Sequence, residues 1–263
     1  MGEKLSKAPV YFTIAQVRFN SVQKMDSYAP DIQEKFRKAT YSDAQTITLN
    51  GLNFGIGVND APLQMPVPIR QTQNTYANFD KTECFILDQS SLTYQATKYR
   101  GFETFSETFL KGMEFVNDVV EGLDFVDRIG MRYLNAFEAQ NTEHITEYLN
   151  PKVIGLFDDS QKQNSQSFSE TVYKRNDKNV IARTIILSGR FNFPFDAQPG
   201  ALAVNNRFKE ISGVHSTLDI DSSTSTRQRF SINLVTDELK LIHDEIESAF
   251  KEIVSSKALE IWK

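Results

Sequence analysis

Two matching stretches decide the fold of this chain: Gln16-Val17-Arg18-Phe19-Asn20 and Gly130-Met131-Arg132-Tyr133-Leu134-Asn135. Both contain many residues that favour strands, and both alternate polar with apolar side chains. Because successive side chains of a strand point to opposite faces, Arg18 and Arg132 each lie on the face opposite an apolar row. The shared letters and the shared polarity indicate a degenerate internal duplication.

Outward from these stretches, the chain divides into two similar halves, residues 1–122 and 123–263. Each half is predicted to contain a strand, a short helix, several antiparallel strands and a long helix. The long helices are predicted at about residues 102–120 and 234–254, where apolar side chains recur at helical spacing. The predicted fold class is therefore α+β. The halves would form one compact unit, a continuous antiparallel sheet with both long helices packed on one face.

Shorter segments complete this prediction, among them two strands over residues 168–174 and 180–187 that are joined by a turn. Pro30 is expected to open a short helix over residues 31–38, and a second short helix is expected over residues 142–149. Residues 53–80 and 192–208 contain several prolines and many polar side chains. The first segment is predicted to be a long loop or an irregular edge, and the second a long excursion.

Composition limits the class of protein and its setting. The 263 residues are 40% hydrophobic and 24% charged, which is typical of a globular chain, and the formal net charge is −5. An acidic balance argues against non-specific DNA binding. Residues 1–5 lack the apolar run of a secretion signal, and no stretch is long enough to span a membrane, so a cytoplasmic location is expected. Cys84 is the single cysteine and is predicted to be a small core side chain.

The candidate functional residues lie on three predicted strands. Arg18, Arg128 and Arg132 are predicted to lie on the polar face of the two matching strands. In a third strand, His215-Ser216-Thr217-Leu218-Asp219-Ile220-Asp221, the same alternation places His215, Asp219 and Asp221 on one side. Two carboxylates at this spacing stand roughly 7 Å apart along a strand.

Three interpretations of these residues are open. The first is cross-strand pairing of arginine with aspartate on a solvated sheet face. The second is a polar ligand cleft. The third is a catalytic or metal site, in which His215 or His243 joins the two carboxylates. His243 alone is expected to make a structural hydrogen bond in the last helix.

Motifs of common enzyme classes are missing from the sequence. Gly55-Ile56-Gly57 lacks the third glycine and the following lysine of a phosphate-binding loop. No serine nucleophile elbow and no helical metalloprotease motif occur. No cofactor and no resident metal are therefore predicted, and no basic and aromatic stripe indicates an RNA-binding sheet.

Three blocks of the sequence resemble a known family. They are Ala8-Pro9 with Gln16-Val17-Arg18-Phe19-Asn20, then Arg128-Ile129-Gly130-Met131-Arg132-Tyr133-Leu134-Asn135, then Leu218-Asp219-Ile220-Asp221 followed by Leu241-Ile242-His243. Together they resemble a sporadically distributed bacterial and archaeal family of unknown function, found in accessory genome regions. The resemblance implies a prokaryotic cytoplasmic protein near mobile elements or in phage defence. It implies no activity and no catalytic residues.

The leading functional hypothesis is a non-catalytic binding protein that recognises a protein partner. The first alternative is a metal-assisted hydrolase of a phosphate-bearing substrate, with the arginines on the anion and the aspartates on the metal. The second alternative is a nucleic-acid-binding module that uses the same arginines. Two oligomeric states are open: the duplicated halves could imitate a dimer and leave the chain monomeric, or the exposed sheet edges could pair with another copy to form a homodimer.

Overall fold

The computed structural model describes residues 7–53, 67–140, 143–157 and 166–263. These residues form an α+β fold, and the fold-class prediction is confirmed at that level. Among them, no helix combines the length and the apolar character that crossing a membrane requires.

The fold contains ten strands and six α-helices in the described residues. The strands are β1 Val10–Phe19, β2 Asp43–Asn53, β3 Val67–Ala77, β4 Glu83–Leu87, β5 Ser91–Ala96, β6 Phe125–Glu138, β7 Gln166–Arg175, β8 Lys178–Arg190, β9 Ser212–Thr224 and β10 Gln228–Arg229. The helices are α1 Met25–Lys38, α2 Phe102–Val119, α3 Pro151–Ile154, α4 Asn206–Lys209, α5 Ile232–Ile253 and α6 Ser256–Trp262, with a 3₁₀ turn at Ile145–Tyr148.

All strands belong to one antiparallel sheet in the order β2-β3-β4-β5-β1-β6-β9-β8-β7, and the short β10 pairs with β6. The first strands of the two halves, β1 and β6, are neighbours at the centre of the sheet. There Gln16 lies opposite Gly130, and Arg18 lies opposite Arg128. On the other side of β6, Arg132 lies opposite Asp221 of β9. The sheet therefore continues without interruption from residues 1–122 into residues 123–263.

The helices α1, α2 and α5 share the main hydrophobic core with one face of the sheet. The buried side chains of α2 recur at helical spacing, at Phe105, Phe109, Met113 and Val116. Those of α5 recur in the same way, and Ser231 caps this helix by accepting a hydrogen bond from the Leu234 N–H. These helical side chains share the core with Ala15, Val17 and Phe19 of β1. Because side chains alternate along a strand, the other residues of β1 lie on the opposite face of the sheet.

We call that other face the open face; it carries Gln16, Arg18, Arg128, Arg132, Asp219 and Asp221. One end of it is covered by residues 191–211, which we call the covering segment. Phe208 and Ile211 of this segment pack on Phe12 and Leu134 in a second, smaller core. The prediction that residues 192–208 form a long excursion agrees with this path, apart from the short α4.

Two local predictions differ from the structure. Helix α1 begins at Met25, so Pro30 lies inside it and does not open it. Met25 is buried in the main core, and this tertiary contact holds the first turn even though Pro30 cannot donate a backbone hydrogen bond. In place of the helix expected over 142–149, the described residues contain the 3₁₀ turn, and Thr142 lies outside them.

The largest difference concerns residues 67–77, which were predicted as part of a long loop or an irregular edge and form the regular strand β3 between β2 and β4. Strand β4 pairs with β3 only from Asn74 onward, so the part of β3 that contains Pro68 has a ladder partner on the β2 side only. A proline in such a half-paired stretch leaves the opposite ladder intact. Residues 54–66 of the same predicted segment lie outside the described residues.

Candidate functional site

The six candidate residues all lie on the open face, on the neighbouring strands β1, β6 and β9. Five of them are close in the register: Arg18 opposite Arg128, and Arg132 opposite Asp221, with Asp219 two residues further along β9. His215 lies apart. It is fully buried near Phe191 of the covering segment, and its Nδ1 lies 3.1 Å from the Gly213 carbonyl oxygen.

Asp219 is the centre of the charged cluster. Its side chain is 2% exposed and accepts two hydrogen bonds from Arg132, from Nε at 2.6 Å and from Nη2 at 2.7 Å. Arg183 of β8 donates a third bond from Nη1 at 3.2 Å. Both carboxylate oxygens are therefore occupied by guanidinium donors, and this charge-assisted fork is a strong, directional contact.

The network continues outward on both sides of Asp219. Arg132 also donates to both oxygens of Asp196 in the covering segment, at 3.0 and 3.1 Å. Arg183 also donates to Glu170 of β7, at 2.6 Å. We call Glu170, Arg183, Asp219, Arg132 and Asp196 the ion-pair chain. It crosses from the edge strand β7 to the covering segment and contains two positive and three negative groups.

The ion-pair chain shifts the pKa of Asp196 and of Arg132. The Asp196 carboxylate accepts hydrogen bonds from Arg132, and these lower the pKa of Asp196 below its ordinary value. Burial alone would lower the pKa of Arg132, but its hydrogen bonds to Asp219 and Asp196 outweigh that effect, so the guanidinium stays charged. Burial, followed by the nearby Asp219 charge, raises the pKa of Tyr11 under the covering segment.

Arg128 and Asp221 form a second, looser group beside this chain. Arg128 Nη2 lies 3.6 Å from Asp221 Oδ1, and Nη1 donates to the Gln16 amide oxygen at 3.3 Å. Gln16 in turn donates to Thr93 on β5 at 2.9 Å. Burial raises the pKa of Asp221, and the Arg128 charge opposes this effect only in part.

Gly130 explains the position of the Arg128 guanidinium. A Cβ atom at residue 130 would lie 2.8–2.9 Å from the guanidinium atoms of Arg128, which is closer than real Cβ contacts allow. The guanidinium therefore lies flat across Gly130, where it reaches both Gln16 on one side and Asp221 on the other. Arg18, directly opposite on β1, is exposed.

The sequence did not single out three members of the ion-pair chain, Glu170, Arg183 and Asp196. Glu170 on β7 and Arg183 on β8 are directly opposite each other, in a hairpin that the sequence did predict. Strand alternation would have placed them on one face, but no pattern showed which face. Asp196 carries no comparable signal, because only docking of the covering segment brings it to Arg132.

Other candidate sites are limited. In the described part of the chain, no group of three or more His, Cys, Asp or Glu side chains is arranged to hold a metal ion. A cleft of about 360 Å³ lies between α1 and the strands β2 and β3, lined by Asp26, Gln33, Thr46 and Asn74 among others. None of the six candidate residues lines it. His243 lies in the helical layer, stacked on Phe102 at 4.2 Å and 3.1 Å from the Tyr133 hydroxyl.

Comparisons with protein-family models, with curated proteins and with solved structures found no match for this chain.

Proposed function

We propose that this protein is a non-catalytic binding protein whose open face holds an acidic surface of a protein partner. The observation that carries the proposal is the cross-strand pair of Arg18 and Arg128. Two like charges directly opposite each other on a sheet repel. Asp221 at 3.6 Å from Arg128 is the carboxylate that partly offsets them. A carboxylate from a partner would complete this arrangement.

The surroundings of this pair favour a macromolecule over a small substrate. The open face is a strand surface, whereas small-molecule sites are usually concave and mostly apolar. Phe195 of the covering segment is 98% exposed next to Asp196, and an exposed aromatic side chain of this kind is typical of interface anchors. The polar face with one aromatic anchor resembles a transient protein interface.

The chemistry of Asp219 argues against the metal-assisted hydrolase. Its two oxygens already accept three bonds from Arg132 and Arg183. A cation placed there would have to displace those bonds and would lie among guanidinium groups that repel it. The nucleic-acid module remains the second alternative, since the Arg18 and Arg128 pair would also accept a phosphate. The net charge of −5 opposes that association at long range.

Two further parts of the proposal concern origin and setting. The strand order β2-β3-β4-β5-β1 of the first half parallels the order β7-β8-β9-β6 of the second, which supports the proposed duplication. The cytoplasmic, prokaryotic setting near mobile elements or in phage defence follows from the family resemblance alone, and we retain it as part of the proposal.

Binding of a labelled glutamate-rich peptide, measured by fluorescence anisotropy, tests the proposal. Arg18→Ala should weaken binding roughly tenfold, because it removes one charge-assisted contact. Arg37→Ala is the matched control, since Arg37 is an exposed arginine on α1 that pairs with Glu34. We expect this control to bind as the wild type does.

Three results would contradict the proposal. Equal binding by wild type and Arg18→Ala would remove the open face as the site. Tighter binding of a single-stranded oligonucleotide of equal charge, with steep loss in salt, would favour the nucleic-acid module. Magnesium-dependent hydrolysis of a phosphate ester that is lost in Asp219→Asn would favour the hydrolase.

A further inference from the structure

The edge strand β7 carries two exposed apolar side chains. In the described part of the chain it is the last strand of the sheet, and β8 is its neighbour. It runs for ten residues, and Phe168 and Val172 are 54% and 65% exposed. Long edge strands with apolar side chains pair readily with another chain unless they are covered or interrupted.

The hairpin turn determines which backbone groups of β7 face outward. Asn176 and Asp177 form a two-residue turn with φ of 47° and 61°, and Arg175 and Lys178 flank it as a pair. In such a hairpin the flanking residues bond to each other, and alternate residues of an antiparallel strand direct their N–H and C=O groups to opposite sides. Arg175 therefore bonds toward β8, whereas Lys174, Val172 and Glu170 direct their backbone groups away from the sheet.

The outward-bonding residues are self-complementary. In Glu170-Thr171-Val172-Tyr173-Lys174, a two-fold axis through Val172 would place Val172 opposite its own copy. Glu170 would then lie opposite Lys174 of the second copy, and Lys174 opposite Glu170. Lys174 is well placed for this contact, because it is largely exposed and its interaction with Asp177 is long, at 3.6 Å.

We infer that a second copy of this chain pairs with β7, antiparallel, about a two-fold axis through Val172. Three hydrogen-bonded residue pairs would form, with about six backbone hydrogen bonds and two Glu170–Lys174 ion pairs between copies. The register centred on Glu170 places two glutamates directly opposite each other, which is repulsive. A register shifted by one residue would place Val172 opposite a residue whose side chain lies on the other face of the sheet, so the two side chains could not pack together.

The geometry also relates the dimer to the open face. The two-fold axis of an in-plane antiparallel pair is perpendicular to the sheet, so equivalent faces of both copies lie on the same side. Glu170 and Val172 belong to the open face, since Glu170 bonds to Arg183. The two open faces would thus form one continuous, bivalent surface. The dimer itself does not depend on what that surface binds.

Sedimentation of the full chain tests this dimer. Wild type should show a reversible monomer–dimer equilibrium. Val172→Pro should be monomeric, because proline removes an outward N–H of the edge strand and leaves the bonds to β8 in place. Its circular dichroism should match that of the wild type, which checks that the β7–β8 hairpin persists.

Charge reversal tests the register without a backbone change. Lys174→Glu should weaken the dimer at least tenfold, because each Glu170 then faces a glutamate. Adding Glu170→Gln to this variant should restore part of the affinity, because it removes the repelling glutamate pair without placing a second cation opposite Arg183. Lys240→Glu, on the exposed side of α5, is the matched control and should leave the equilibrium unchanged.

Each opposite result overturns the inference. A wild type that stays monomeric at the highest attainable concentration excludes the dimer. A dimer that survives Val172→Pro is formed elsewhere on the molecule. A dimer that is insensitive to Lys174→Glu is not centred on Val172. None of these results bears on peptide binding at Arg18.

Discussion

At the residue scale, the open face contains two carboxylates in contrasting situations. Asp219 has both oxygens bonded by arginines, whereas Asp221 has Arg128 at 3.6 Å and a pKa raised by burial. The difference follows from position along β9: Asp219 lies beside Arg183 in the register, and Asp221 lies beside Ile181. On the β8 side Asp221 therefore has no arginine directly opposite, and the Arg128 charge compensates only in part for the hydration that its ionised form loses on burial.

Asp221→Asn is therefore expected to change how stability depends on pH. The pKa of Asp221 is above 3.8 in the folded state, so the unfolded chain releases this proton first as the pH rises. The stability contributed by the protonated carboxyl is full below pH 3.8 and is lost as the pH passes through the raised pKa. The stability of Asp221→Asn relative to wild type should thus increase with pH over this window.

Urea unfolding of wild type and variant at several pH values measures this effect. Asp237→Asn, on the exposed side of α5, is a control for the loss of a carboxylate at the surface. A stability difference between wild type and Asp221→Asn that stays constant or falls with pH would show that burial does not dominate at Asp221.

At the element scale, the β7–β8 hairpin connects the ion-pair chain with the sheet edge. Its turn residues, Asn176 and Asp177, both adopt positive φ, which asparagine, aspartate and glycine tolerate better than other residues. This turn sets the register in which Glu170 meets Arg183 and in which Val172 directs its backbone groups outward. A substitution at Asn176 or Asp177 should therefore change the stability of the whole hairpin.

Asp177→Val should destabilise the protein by about 1–2 kcal/mol, because a β-branched residue is strained at positive φ. Asp177→Gly should cost less than this or stabilise the fold slightly, since glycine adopts this conformation freely. Thermal unfolding monitored by circular dichroism distinguishes the two. Equal loss in both variants would indicate that the Asp177 carboxylate, and not its backbone conformation, matters.

At the scale of the whole molecule, the sheet is continuous and its two ends differ. The centre joins the halves through β1 and β6, and residues 67–73 and the strand β2 extend the sheet at one end. At the other end, the side chains of β7 on the open face are exposed, whereas Ser169 and Tyr173 on the opposite face are half-buried. The self-complementary stretch from Glu170 to Lys174, and not exposure alone, marks β7 as the edge at which a second copy would extend the sheet.

If the dimer forms, unfolding should depend on protein concentration. Only the folded chain dimerises, and the unfolded chain binds no second copy. Mass action therefore raises the midpoint of unfolding as the protein concentration increases. We expect this rise for wild type and its absence for Val172→Pro. Scanning calorimetry over a wide concentration range measures it, and an identical concentration dependence in both proteins would contradict a role for β7.

The sequence by itself determined the local features of this protein, namely its α+β class, the long helices, the β7–β8 hairpin and the polar face of β1, β6 and β9. These follow from side-chain periodicity and turn chemistry, which act over a few residues. Arg18, Arg128, Arg132, Asp219 and Asp221 were predicted on the correct faces for the same reason.

Only the tertiary structure decided which of these groups meet. Arg132 bonds to Asp219 across 87 positions and to Asp196 across 64, and each contact depends on strand register or on docking of the covering segment. The same holds for β3, where pairing with β2 outweighed Pro68, and for α1, where burial of Met25 outweighed Pro30. Such contacts join distant parts of the chain, so no local pattern encodes them; the free energy of packing the whole sheet selects them.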